Sequence, residues 1–115
     1  MTVISFVRMT GSLFHYTDTA GYDGIRSSRT WRFRAAEPPG GHPVGTYFTD
    51  YDERTPLLAQ KLRIPRSKLE FFFSFQDAGD LQSLPGGRGR HISYSVEDYI
   101  VDEPRQVRQG PTGIG

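Results

Sequence analysis

Leu69-Glu70-Phe71-Phe72-Phe73-Ser74-Phe75 is the most strand-like run in the chain. Bulky aromatic residues crowded this closely suit the pleated, buried surface of a sheet better than a solvated helix, and they read as core rather than as a ligand pocket. Working outward, Leu13-Phe14-His15-Tyr16-Thr17 has the same character. Thr30–Ala35 alternates Trp31 and Phe33 with Arg32 and Arg34, the pattern of a half-buried strand. Gly45–Asp50 (GTYFTD) is a strand bounded by the Pro/Gly loop at 36–44 and by acidic Asp50-Tyr51-Asp52-Glu53. His91–Val96 and Asp98–Asp102 complete the strands. Thr17 or Asp18 can cap a helix running to about Ser27, with Tyr22 and Ile25 on one face. Gly21 and Gly24 weaken that helix by roughly 1 kcal/mol each, so packing must hold it. Pro56–Leu62 is a second short helix, with Pro56 acceptable in its first turn. Ser83–Arg90 is a loop, residues 1–12 a lead-in strand (Val3–Val7) or arm, and Pro104–Gly115 a frayed tail. The expected fold class is α+β, mostly β.

Composition agrees. A chain of 115 residues suits one domain. The hydrophobic fraction is 36% and the aromatic fraction 13%, so short strands joined through rings are expected rather than long helices. A net charge of +1 lacks the basic excess that duplex nucleic acid usually calls for. Cysteine is absent, which excludes disulfides, thiolate metal sites and a thiol nucleophile. His15, His42 and His91 are far apart in sequence and do not suggest a zinc site, so no metal is expected. The apolar run Val3–Val7 is too short for a signal-peptide core or a membrane span. A cytoplasmic protein, or one delivered by a dedicated export system, fits this, with no membrane partner.

Three segments set polar groups inside otherwise apolar strands: His15 and Tyr16 after Leu13-Phe14, Tyr47 within Gly45–Asp50, and Asp98 before Tyr99-Ile100-Val101. Such groups are expensive on a strand face unless they are paired or open onto a cleft. Each alone has an ordinary explanation as a satisfied core histidine, a tyrosine with a wet hydroxyl, or a strand-start residue. Together they form an ordered set.

The set resembles the ADP-ribosyltransferase superfamily, in the histidine–tyrosine branch that holds the poly-ADP-ribose polymerases and small toxin-type domains with a His-Tyr-Asp signature. Phe14-His15-Tyr16-Thr17 looks like that family's first motif. Gly45-Thr46-Tyr47-Phe48-Thr49-Asp50 looks like its second, Gly-x-Tyr-Phe-x-Asp. Asp98-Tyr99-Ile100-Val101 with Gln106-Val107-Arg108 resembles its third, and the likeness runs from about Leu13 to Arg108. It implies a split β-sandwich of two small antiparallel sheets with one or two short helices, and NAD+ bound between the sheets as substrate.

The implied roles follow the chemistry. His15 would hydrogen-bond a ribose hydroxyl, helped by Thr17. Gly45, lacking Cβ, would let the backbone approach the ligand. Tyr47 would stack on the cationic nicotinamide ring. Tyr16 or Tyr51 would supply the second tyrosine that many relatives carry and Pro56–Leu62 lacks. Arg34, with Arg32, would meet the pyrophosphate, although a solvated strand face is the simpler explanation of both. Asp98 would steady the oxocarbenium-like charge that grows as nicotinamide leaves. Many relatives have Glu there; the shorter Asp favours mono-transfer or hydrolysis, and adjacent Glu97 is the rival carboxylate.

The resemblance therefore implies an NAD+-dependent ADP-ribosyltransferase acting on a protein, nucleic acid or small-molecule acceptor. A toxin or effector of this kind would be matched by an inhibitor (immunity) protein. An NAD+ glycohydrolase is the nearest alternative. A catalytically silent module binding NAD+, ADP-ribose or a protein is the next, and an unrelated β-domain that binds a partner through its aromatic residues is the last.

Overall fold

Residues 11–37, 43–84 and 91–114 are described by the computed structural model. In chain order the elements are β1 (Ser12–Thr17), α1 (Thr19–Arg26), β2 (Trp31–Phe33), β3 (Thr46–Thr49), α2 (Leu58–Leu62), β4 (Phe71–Gln76), β5 (Gln82–Ser83), β6 (Ile92–Ser95), β7 (Tyr99–Val101) and β8 (Gln106–Pro111), with 3-10 turns at Arg66–Leu69 and Glu103–Arg105. Six strands form one sheet in the order β5-β6-β3-β1-β4-β8, and β2 pairs with β7 in a second; every pairing is antiparallel. The α+β, mostly β architecture expected from the sequence is what forms. The segment read as Val3–Val7, His42, and residues 85–90 of the expected loop lie outside the described residues.

Side-chain alternation decides what each sheet buries. On β1, Leu13 and His15 point to the small sheet, beside Phe75 and Phe73 of their partner strand. On β2, Trp31 and Phe33 are buried and Arg32 is exposed, as the alternation requires. With Phe48, Tyr99, Val101 and Tyr22 of α1 they form one aromatic core between the two sheets. Phe33 is 1% exposed and meets Trp31, Phe48, Phe73 and Phe75 at ring separations of 5.2–6.4 Å. The opposite face of the large sheet carries Phe14 and Tyr16, stacked at 6.2 Å, with Phe72 beside Phe14.

Helix α1 starts where expected. Asp18 is the N-cap and accepts from the Gly21 amide at 2.9 Å, which satisfies one of the helix's free N–H groups. Gly21 is needed for space: a Cβ there would fall 1.9 Å from the Thr17 hydroxyl oxygen. Among the described residues no helix is long and apolar enough to cross a membrane.

The C-terminal segment corrects an expectation. Residues 104–115 were expected to fray, yet Gln106–Pro111 forms β8, paired along β4 from Phe71↔Pro111 to Phe75↔Gln106 with an irregularity between Ser74 and Phe75. Polar side chains hold it. The Gln106 amide donates to the carbonyls of Arg29 (2.7 Å) and Val101 (3.1 Å). The Arg108 fork closes on both oxygens of Glu53 at 2.8 and 3.1 Å and lies 4.9 Å over the Phe72 ring. The Gln-Val-Arg triplet of the third motif thus works here as a fastening. β5 was also unforeseen; Ser83, expected in a loop, pairs with Ser93.

Gly45 has a structural explanation of its own. It bridges Ala36 through two backbone hydrogen bonds of 2.9 and 3.0 Å, and a Cβ would fall 2.3 Å from the Ser95 carbonyl oxygen. Gly45→Ala is expected to destabilise the fold by about 1–3 kcal/mol, the scale of forced overpacking, measured by urea denaturation. A chain ended after Arg105 is expected to lose its cooperative thermal transition, because β4 then has an open edge and Glu53 an unpaired carboxylate; calorimetry on the truncated chain checks this.

Candidate functional site

β1 and β3 are neighbours in the large sheet but share a single registered pair, Phe14↔Thr49. One residue further along β1, the His15 ring takes over: its Nδ1 donates to the Tyr47 carbonyl at 3.1 Å. His15 is half-buried, against the rings of Phe33 (4.7 Å) and Phe48 (5.6 Å). Burial pushes its pKa down to about 4, and the bond to Tyr47, which favours the charged ring, offsets this only in part. At neutral pH the ring is therefore uncharged. Donation from Nδ1 fixes the tautomer and leaves Nε2 as an acceptor. No hydrogen bond to Nε2 is present among the described residues, and no fully buried side-chain nitrogen or oxygen lacks a partner, so Nε2 keeps some exposure on a residue that lines a cavity.

That cavity holds about 520 Å3, within the usual range for small-molecule sites. Its floor is His15 and Thr17 of β1. One wall is α1 and its C-terminal turn, with Ala20, Gly21, Gly24, Ile25, Ser27 and Ser28; the other is Arg32 and Arg34 from and just after β2. The α1 wall was missed in the sequence, where the two glycines registered only as weakening the helix. The signal was present: Ala20, Gly21 and Gly24 of α1 and Ser27 and Ser28 just after it are small, and beside them α1 gives this wall only Ile25 as a larger side chain, so room is left there.

Asp98 stands at the entry to β7 and is exposed. Its neighbour Tyr99 is anchored, donating to Asp80 at 2.6 Å and accepting from Arg105 at 2.8 Å, and burial pushes that phenol up to about 12. Both oxygens of the Asp98 carboxylate are engaged. One oxygen accepts from Nε and Nη2 of Arg32 at 3.1 and 2.9 Å, and the other from the Ala35 amide at 2.8 Å. The Ala35 amide and then the Arg32 guanidinium hold the carboxyl below the usual carboxylate range. Glu97 is exposed, and its carboxylate makes no hydrogen bond or ion pair among the described residues.

The residues singled out in the sequence are thus only partly brought together. His15, Thr17 and Arg34 line the cavity, and Asp98 adjoins it through Arg32. Tyr47 does not line it, and its link to the cavity is its backbone carbonyl on the His15 Nδ1. The Tyr47 ring alternates away from Phe48, onto the far face of the sheet, where it stacks on Tyr94 at 5.3 Å and donates to the Pro43 carbonyl. Tyr16 also faces that side, its hydroxyl donating to the Tyr51 carbonyl at 2.7 Å, with burial and then the charges of Glu53 and Asp52 pushing its pKa up. Tyr51 stacks on His91 at 4.5 Å. Among the described residues none of the three tyrosines lines the cavity, and none of the acidic and histidine side chains gather as a metal-binding group. A second hollow of about 720 Å3, between α2 and the end of the chain, is larger but contains none of these residues.

The His15 geometry predicts a pH response. Between pH 6.5 and about 4 the unfolded chain binds a proton at this imidazole that the folded chain refuses, so stability falls as pH falls through that window. The loss attributable to His15 is about 3 kcal/mol at its lower end. His15→Asn, whose amide keeps a donor toward Tyr47 but does not titrate, is expected to flatten this part of the stability–pH curve. No family model, curated protein or solved structure matches the chain.

Proposed function

We propose that the cavity binds NAD+ and that the protein cleaves its nicotinamide–ribose bond, passing ADP-ribose to an acceptor. The observation that carries this is the fixed neutral His15, an acceptor lining a cavity whose opposite wall is cationic. A group that only accepts selects hydroxyl donors, and two guanidinium groups nearby select anionic oxygens. A phosphorylated riboside offers both. The order of the three motifs adds the resemblance to ADP-ribosyltransferases, and the single-pair junction between β1 and β3 beside His15 suits the split sandwich that resemblance implies.

In this reading His15 and Thr17 hold ribose hydroxyls, and Arg34 with Arg32 holds the pyrophosphate. The bond between C1′ and the nicotinamide nitrogen breaks with its electron pair going to that nitrogen, which neutralises the pyridinium. Asp98 steadies the positive charge left on the ribose. Water, or an acceptor hydroxyl, amine or carboxylate, attacks C1′; a protonated nucleophile gives up its proton to solvent. Tyr47 contributes its carbonyl to His15 rather than its ring to nicotinamide. The engagement of both Asp98 oxygens favours a second reading, a module that binds NAD+ or ADP-ribose without cleaving it.

Nicotinamide release from NAD+ by the pure protein separates the two. Release that Asp98→Ala lowers by about a hundredfold or more, and that Tyr47→Phe leaves within about twofold, supports the enzyme. Thermal stabilisation by NAD+ without release supports the binding module. If NAD+ produces neither, both readings fall; if Glu97→Ala abolishes release and Asp98→Ala does not, the carboxylate is Glu97.

A further inference from the structure

Arg32 occupies two positions in the geometry at once. Arg32 lines the cavity, and its guanidinium is the ion-pair partner of Asp98, which does not line it. Arg34, two residues on, lines the same wall, makes no side-chain hydrogen bond among the described residues, and adds its positive charge to that of Arg32 in holding Asp98 ionised. Asp98 has a second tie, the Ala35 amide, that does not depend on Arg32.

We propose that Arg32 is a phosphate-operated latch: a ligand pyrophosphate draws the Arg32 guanidinium off Asp98 and so frees the carboxylate, held by Ala35 alone, toward the cavity. The proposal rests on the reading of the cavity as a site for a phosphorylated riboside. It makes the site selective for ligands that carry phosphate, because a bare riboside lacks the anion that competes for Arg32. The exchange is electrostatically reasonable. Arg32 is 59% exposed and Asp98 33% exposed, so their pairing is solvent-screened and weak enough to be traded. A pyrophosphate presents more charge and more acceptor oxygens to the same fork. No covalent bond changes in this step; one ion pair is exchanged for another.

Inorganic pyrophosphate binding, followed by calorimetry on the full chain, tests this without any catalytic assay. Arg32→Gln is expected to weaken binding about tenfold. Asp98→Asn, whose side-chain oxygen can still accept from Ala35, removes the competitor for Arg32 and is expected to tighten binding about tenfold. In the double variant that gain should shrink to what relief of charge repulsion, with Arg34 still in place, accounts for, since the Arg32 guanidinium is no longer there to release. A gain from Asp98→Asn of the same size with and without Arg32 would show simple relief of charge repulsion and overturn the latch. So would wild-type protein that does not bind pyrophosphate. Circular dichroism of each variant checks folding. If the coupling appears while NAD+ yields no nicotinamide, the latch stands and the enzymatic reading falls.

Discussion

The Phe33 ring sits where the two sheets meet, and the core is arranged around it. It contributes no hydrogen bond, only dispersion and the removal of apolar area from water, and burying a side chain of this size is worth about 1.5–3 kcal/mol before packing is counted. Its neighbours come from β1, β2, β3 and β4, so each strand's register is set by the same ring. The edge contacts with Phe48 and Phe73 leave little freedom to slide, because a shift of one residue would turn Arg32 inward. That constraint also builds the cavity. With Phe33 inward, Arg32 and Arg34 stand outward, and His15 is pressed against the Phe33 ring with one nitrogen on a backbone carbonyl and the other open.

Burial of His15 has an electrostatic counterpart across the cavity. The charged form of the imidazole is suppressed by desolvation, so it adds no repulsion to a wall that already carries Arg32 and Arg34. A cationic His15 would cost stability and would lose its acceptor. Polar selectivity on one wall and charge selectivity on the other are therefore separate properties, drawn from β1 and β2, and can be varied independently.

Much of this was legible in the sequence where a local pattern had a local cause. Alternation placed Trp31 and Phe33 inside, and of the two candidate caps for α1, Thr17 and Asp18, it is Asp18 that caps. What was not legible depended on partners far away. β8 has few bulky apolar residues, and its fastening to Glu53 spans 55 positions, so it looked like a tail. The Arg32–Asp98 pair spans 66 positions. Tyr16 and Tyr47 stood out as polar groups inside apolar strands, but each sits one residue from a core residue of opposite facing, and the local sequence carries no information about which side the ring takes. The cavity itself was invisible for another reason: it is made by what α1 lacks, and small side chains leave no hydrophobic pattern.

Strand order has a consequence for synthesis. β4, made in the middle of the chain, is flanked in the sheet by β1, made early, and β8, made late. While the ribosome is still extending the chain toward Pro111, Phe71–Gln76 can pair on one side only. An edge of consecutive phenylalanines with no charged residue in the strand is the kind of surface that recruits strands from other chains. The chain thus passes through an interval in which its best core segment is also its most adhesive one, and β8, whose arginine and glutamines contribute little to the core, ends that interval.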